Sequence, residues 1–159
     1  MRIDILAAGK IKENFCKEAV AEYTKRLSKY VKLNMIEVKD EKTSEGASDH
    51  EADLVKSAEA KRLMQHISAD AVLIPLCIEG QEMSSEELSL MISDLENRGK
   101  SHLQFVIGGS LGLADDIKDM GSIRLSFSRM TFPHQLMRVI LLEQIYRAYR
   151  IKNNEPYHK

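Results

Sequence analysis

Apolar positions along this chain switch repeatedly between two spacings, and the switching predicts a βα repeat. Residues 2–8 are apolar apart from Arg2 and Asp4 and read as a buried strand. From Glu13 to Tyr30 the apolar side chains fall at Phe15, Ala19, Tyr23, Leu27 and Tyr30, the 3.6-residue stripe of an amphipathic helix. Leu33 to Val38 predicts a second strand, and the polar stretch Lys39 to Ala47 a loop. Ser48 followed by Glu51 is a capping-box signature that opens a charged helix to about Ile67. Ala71 to Ile78 is a near-continuous apolar run, as in a central strand covered on both faces, with Glu79 to Met83 as the loop after it. Ser84 and Glu87 form a second capping box, and that helix ends near Arg98-Gly99. Leu103 to Ile107 predicts a strand, Leu113 to Met120 a short helix and Ile123 to Phe127 a last strand. A helix from His134 to Ile151 follows, with Pro133 at its start.

Strands that alternate with helices imply an α/β fold, a mostly parallel sheet with helices on both faces. No repeat, linker or low-complexity segment divides the chain, so residues 1–159 read as a single domain. The final helix is unusual. Leu136, Val139, Ile140, Leu141, Leu142, Ile145, Tyr146, Ala148 and Tyr149 spread nearly all the way round its wheel. A helix apolar on all sides is buried on all sides, which predicts a homodimer with this helix in the interface.

Composition narrows the function classes. No apolar run approaches the ~20 residues of a membrane span. Asp4 inside the first apolar stretch argues against a signal peptide, so a cytoplasmic protein with no membrane partner is expected. Cys16 and Cys77 are isolated and read as buried thiols rather than a disulfide, zinc ligands or a nucleophile. The five histidines show no ligand spacing, and no metal is expected. Charge is uneven: residues 124–159 hold seven Lys/Arg and two Asp/Glu, against sixteen and twenty-two in residues 1–123. Such asymmetry hints at a polyanionic partner for the C-terminal end, or at an ordinary charged helix face.

Candidate chemistry gathers in the last third. Gly108-Gly109 directly after a strand lets the backbone approach a ligand, or simply makes a tight turn; it matches neither a phosphate loop nor a dinucleotide fingerprint. The segment Ser126 to His134 mixes Phe127, Met130 and Phe132 with Ser126, Ser128, Arg129 and Thr131. Apolar walls with a few polar groups suit a small-molecule pocket. Strand ends of this kind build ligand sites at one edge of an α/β sheet.

The runs Ile107 to Ser110, Leu125 to Arg138, Glu143 to Ala148 and Pro156 to Lys159, with Ile5 to Lys10 at the start, closely resemble the bacterial ribosomal RNA large-subunit methyltransferase H family, within the SPOUT class. The resemblance covers the whole chain, although residues 39–70 contribute little to it. It implies an S-adenosylmethionine-dependent enzyme that methylates N3 of a pseudouridine in helix 69 of 23S rRNA. The assembled 70S ribosome or 50S subunit is the expected partner. It also implies a C-terminal trefoil knot, which general topology rules would disfavour. Carried over residue by residue, the cofactor pocket falls on Leu76, Gly108, Phe127, Ser128, Arg129, Met130, Thr131 and Phe132, with the glycines admitting the cofactor. The tail then lies over the active site: His158 handles a proton, Tyr157 stacks on a base and Lys159 contacts phosphate. Arg147 falls where the family has an arginine facing RNA. Competing readings are a SPOUT methyltransferase acting on tRNA or a small molecule, a non-catalytic ribosome-associated RNA-binding factor, and, from the α/β pattern alone, a flavodoxin-like nucleotide-binding module.

Overall fold

A computed structural model describes residues 1–159. The strands β1 (Arg2–Ala8), β2 (Lys32–Val38), β3 (Val72–Glu82), β4 (His102–Ile107) and β5 (Leu125–Ser126) form one parallel sheet in the order β2-β1-β4-β3-β5. The connecting helices are α1 (Asn14–Leu27), α2 (Asp49–Met64), α3 (Ser85–Asn97), α4 (Asp115–Met120) and α5 (His134–Lys152). Side chains alternate across each strand, so the sheet has two cores. Ile3, Ile5 and Ala7 of β1 face a large cluster with α1, α3 and α5. Leu6 and Ala8 face a smaller one with α2 and α4. Both capping boxes form as expected, at Ser48 with Glu51 and at Ser84 with Glu87. No helix is long and apolar enough to cross a membrane.

Four expectations change. The first helix stops at Leu27, and Tyr30 lies beyond it, stacked on Tyr149 at 5.6 Å. The third strand runs on to Glu82, past the loop expected at Glu79. Its register slips on the way, so that Leu125 faces both Leu76 and Gln81. Gly80 permits the slip, because a Cβ there would lie 2.8 Å from the Leu125 carbonyl carbon. The last strand shrinks in turn to two residues, beside a β3 whose Pro75 brings no N–H to the ladder. The all-round apolarity of α5 also has an internal cause: α5 lies between α1 and α3 and over β4, so its own chain covers most of it. Leu136, Val139 and Ile140 remain half-buried.

Two buried polar groups fix this arrangement. Asn34, Asp4 and Gln104 stand in register on neighbouring strands. The Asp4 carboxylate accepts hydrogen bonds from Asn34 (2.7 Å), Gln104 (3.1 Å) and Arg2 (3.0 and 3.1 Å) and bonds the His102 ring at 2.7 Å. Burial alone would push this carboxyl up, but the bonds from Asn34, Arg2, His102 and Gln104 together hold it far below the usual carboxylate range. The second group is Arg138, wholly buried in the second turn of α5. Its Nη2 donates to the carbonyl oxygens of Ala8 (3.0 Å) and Gly9 (2.7 Å), and its Nη1 to Glu37 (3.0 Å).

Asp4→Asn is expected to lower stability at pH 7 by about 3 kcal/mol, measured by urea unfolding. A depressed folded pKa stabilises above the unfolded value and is lost below it, so the gap to wild type narrows as pH falls from about 5. Arg138→Leu leaves two carbonyls and Glu37 without their donor; a loss of about 3 kcal/mol or more is expected in the same assay.

Candidate active site

At the C-terminal edge of the sheet the later part of β3 and the segments leaving β4 and β5 enclose a cleft of about 630 Å³, within the range of small-molecule sites. One wall is Leu76 to Glu79 and a second is Ile107 to Leu113. The third is the loop after β5, continued by Pro133, His134 and Met137 from the start of α5, with Lys118 of α4 at the rim. Of the residues expected at a cofactor, Leu76, Gly108, Phe127, Ser128, Met130, Thr131 and Phe132 all line this cleft. Arg129 does not; its side chain is exposed and outside the lining.

Local chemistry explains the walls. A Cβ on Gly108 would lie 2.4 Å from the Gly112 carbonyl carbon, and one on Gly109 would lie 2.8 Å from Glu59 Oε2. The double glycine therefore lets the loop fold back on itself and onto α2. The tight-turn reading is thereby met, and both glycines also line the cleft. Gly112, at φ +84°, completes the turn. The hydroxyls of the third wall act partly inward as well: Ser128 Oγ accepts the Met130 N–H at 3.0 Å, and Ser126 Oγ donates to the Ser128 carbonyl at 3.2 Å. The N–H groups of Thr131 and Phe132 take no backbone partner, which leaves donors beside the cleft.

Charge in the cleft is sparse. Lys118 pairs with Glu79. The Glu79 carboxyl is held down chiefly by that bond, and the pairing outweighs burial in raising Lys118. Cys77, read as buried, is only half-buried here, and burial together with Glu79 pushes its thiol up. His134 is pushed down by burial and then by Arg138, which favours a neutral imidazole at the cleft wall.

Arg147, Tyr157 and His158 are also brought together, but elsewhere. None of them lines the cleft. The Tyr157 ring packs edge-on against Tyr146 at 4.9 Å, with the Arg147 guanidinium over it at 4.7 Å. His158 places Nδ1 3.3 Å from Arg147 and Nε2 2.7 Å from Glu86, at the start of α3. The tail is thus docked beside α5 and does not roof the cleft of its own chain. An α-helix rises 1.5 Å per residue, so His134 and Arg147 stand about 20 Å apart along α5.

The hub of the tail cluster is Glu143, which the sequence reading passed over. Its carboxylate accepts from Arg147 (3.1 and 2.5 Å), Tyr157 (3.0 Å) and Gln144 (2.7 Å). The i,i+4 spacing of Glu143 and Arg147 was the available signal. Lys118 and Glu79, also missed, carry none, because their pairing is purely tertiary. The C-terminal charge excess is largely absorbed as well: Arg124, Arg138, Arg147, Arg150 and Lys152 all form internal ion pairs, leaving Arg129 and Lys159 without one.

The family described as "Predicted SPOUT methyltransferase" matches residues 1–158. The chain belongs to the SPOUT methyltransferases. Within them it stands with ribosomal RNA large subunit methyltransferase H. Enzymes of that name from Clostridioides difficile and Bifidobacterium adolescentis are 55% and 54% identical over 159 residues, covering all of both chains. A solved structure, "a probable methylase family protein" from Haemophilus influenzae Rd KW20, aligns with 99% of this chain and 70% of its own at a TM-score of 0.57 and 12% identity, a likeness of fold.

SPOUT methyltransferases use S-adenosylmethionine, and the cleft suits it. Leu76, Phe127, Met130 and Phe132 offer apolar surface for an adenine, and the adjoining backbone N–H groups offer donors for its edge. Gly108→Ala is expected to weaken S-adenosylmethionine binding in calorimetry and to lower stability by about 1–3 kcal/mol, since the loop must open to admit the Cβ. Gly46→Ala, where a Cβ meets nothing within 4 Å, is the comparison for backbone strain alone, since Gly46 sits at φ +78°.

Proposed function

We propose that this chain methylates N3 of a pseudouridine in helix 69 of 23S rRNA, on the assembled 50S subunit or 70S ribosome, in the cytoplasm. The observation that carries this reading is the full-length identity to enzymes named ribosomal RNA large subunit methyltransferase H, joined to a cleft at the matching loops. The resemblance of Leu125 to Arg138 and of Pro156 to Lys159 to that family adds to it.

Bound S-adenosylmethionine would supply a sulfonium-activated methyl group, and the protein's part is to place N3 before it and to accept the N3 proton. Leu76, Gly108, Phe127, Ser128, Met130, Thr131 and Phe132 would hold the cofactor. Arg129, exposed beside the cleft and free of ion pairs, is left to contact RNA phosphate. His158 takes the proton, with Glu86 and Arg147 orienting its ring. Tyr157 lends a stacking face.

The tail stands away from its own cleft. A homodimer through α5 would cover the half-buried Leu136, Val139 and Ile140 and bring a tail to a cleft. The family's trefoil knot agrees with the chain path. β5 lies at the sheet edge beyond β3, yet α5 returns to pack between α1 and α3.

Labelled methyl transfer to 70S ribosomes, 50S subunits and tRNA tests the reading, with transfer to ribosomal particles and none to tRNA expected. Removing Tyr157 to Lys159 is expected to reduce transfer at least about 100-fold, the scale of a lost proton acceptor, while leaving cofactor affinity unchanged within about twofold. A fully active truncated protein would refute the tail assignment.

A further inference from the structure

Behind the double-glycine wall of the cleft lies a buried acid, well apart from the tail cluster. Glu59, in α2, is only 3% exposed. Its carboxyl fills the space where Gly109 would carry a side chain: a Cβ there would lie 2.8 Å from Oε2 and 2.9 Å from Oε1. Gly109 itself lines the cleft. We infer that Glu59 makes the cleft select the cationic methyl donor over its neutral demethylated product. The inference rests on the placement of S-adenosylmethionine in this cleft and adds the residue that reads its charge.

The carboxyl is short of partners. Oε2 accepts the Glu41 N–H at 3.1 Å, while Oε1 is buried with no hydrogen bond. A buried acceptor in that state costs free energy unless a donor or a charge answers it. The charged groups facing Glu59 are Asp40 and Glu41, on the loop after β2, and Arg62 in α2. Arg62 is engaged already: it pairs with Glu41 and donates to the Lys39 carbonyl at 2.9 Å. The double-glycine loop brings no ionisable side chain. Burial, helped by Asp40 and Glu41, pushes the Glu59 carboxyl up, against the Glu41 N–H and the attraction of Arg62. A positive charge on the far side of the glycine would draw it back towards the carboxylate.

Gly109 puts only main chain between this acid and the cleft. Van der Waals contact is about 3.5–4 Å, so a ligand group resting on Gly109 comes within about 8 Å of the carboxyl. Opposite unit charges at that range, in a medium between water and dry protein, favour binding by about tenfold.

The other walls leave this one to the charged end of the cofactor. Leu76, Phe127, Met130 and Phe132 give the apolar surface an adenine needs. The one carboxylate in the lining, Glu79, is held by Lys118. Loss of the methyl group turns the sulfonium of S-adenosylmethionine into the uncharged thioether of S-adenosylhomocysteine, and the two molecules are otherwise alike. The pull of Glu59 thus acts on the donor and vanishes in the product, which loosens the spent cofactor.

The test is calorimetry at neutral pH with S-adenosylmethionine and S-adenosylhomocysteine on wild type, Glu59→Gln and Gly108→Ala. Glutamine keeps the shape and an acceptor for the Glu41 N–H but carries no charge. The ratio of donor to product affinity should fall about 5- to 10-fold in Glu59→Gln, through weaker donor binding, with S-adenosylhomocysteine held within about twofold. A purely structural role would weaken both ligands alike. An unchanged ratio, or an equal loss for both ligands, overturns the inference. If Glu59→Gln loses its fold, Glu59→Met, which fills the same space without charge, is judged by the same ratio. Gly108→Ala should weaken both ligands and leave the ratio within about twofold of wild type. If it binds both as tightly as wild type, the cofactor does not occupy this cleft; that result overturns the placement itself and is distinct from a cleft that binds without reading charge.

Discussion

The guanidinium of Arg138 is taken wholly out of water, and the rest of the functional edge depends on how it is held. A buried charge without partners costs several kcal/mol. Here the carbonyl oxygens of Ala8 and Gly9 and the carboxylate of Glu37 answer most of it, while Nε has no partner. These bonds lock the ends of β1 and β2 to the second turn of α5. The loop after β1 is tied to the same helix by Gln135, whose Oε1 accepts the N–H of Lys12 at 2.8 Å. With α5 fixed at that point, Pro133, His134 and Met137 become a wall of the cleft, and Arg138 helps to keep His134 neutral.

A single helix then carries three tasks along its length. Its first turn closes the cofactor cleft. Its middle offers Glu143 to the tail. Its last turns hold the aromatic cluster of Tyr146 and Tyr149 against Tyr23 and Tyr30. Side chains three and four residues apart share a helix face, so Glu143, Tyr146 and Arg147 are a natural seat for Tyr157 and His158. A residue in the first turn is too far away to join them.

Parts of this were legible along the chain. The stretch from Phe127 to Phe132 stood out because it is too apolar for an exposed loop and too rich in hydroxyls and Arg for a plain core, whereas Gly108 after a strand read equally as a tight turn and owed its place in the site to the family motif. The glycines were legible as a turn, but their reason was not: the contacts at Gly108 and Gly109 come from Gly112 and from Glu59, which lies far back in the sequence. Charge was the least dependable guide. The basic segment 124–159 allowed either a polyanion surface or an ordinary charged helix face, and most of its cations are paired internally, because pairing depends on which acidic residues the fold brings near.

Hydrophobic spacing, the two capping boxes and the family motifs by themselves determined a parallel α/β sheet, its helices and the segments of the candidate cofactor site. Those features are local, set by a residue and its neighbours within a few positions. Only the tertiary structure decided that β3 slips register at Gly80, that α5 buries its wide apolar girth between α1 and α3, that Arg129 stands outside the cleft, and that the tail docks on Glu143 and Glu86. Each of these depends on contacts between residues distant in the sequence, and neither periodicity nor spacing encodes which of them meet.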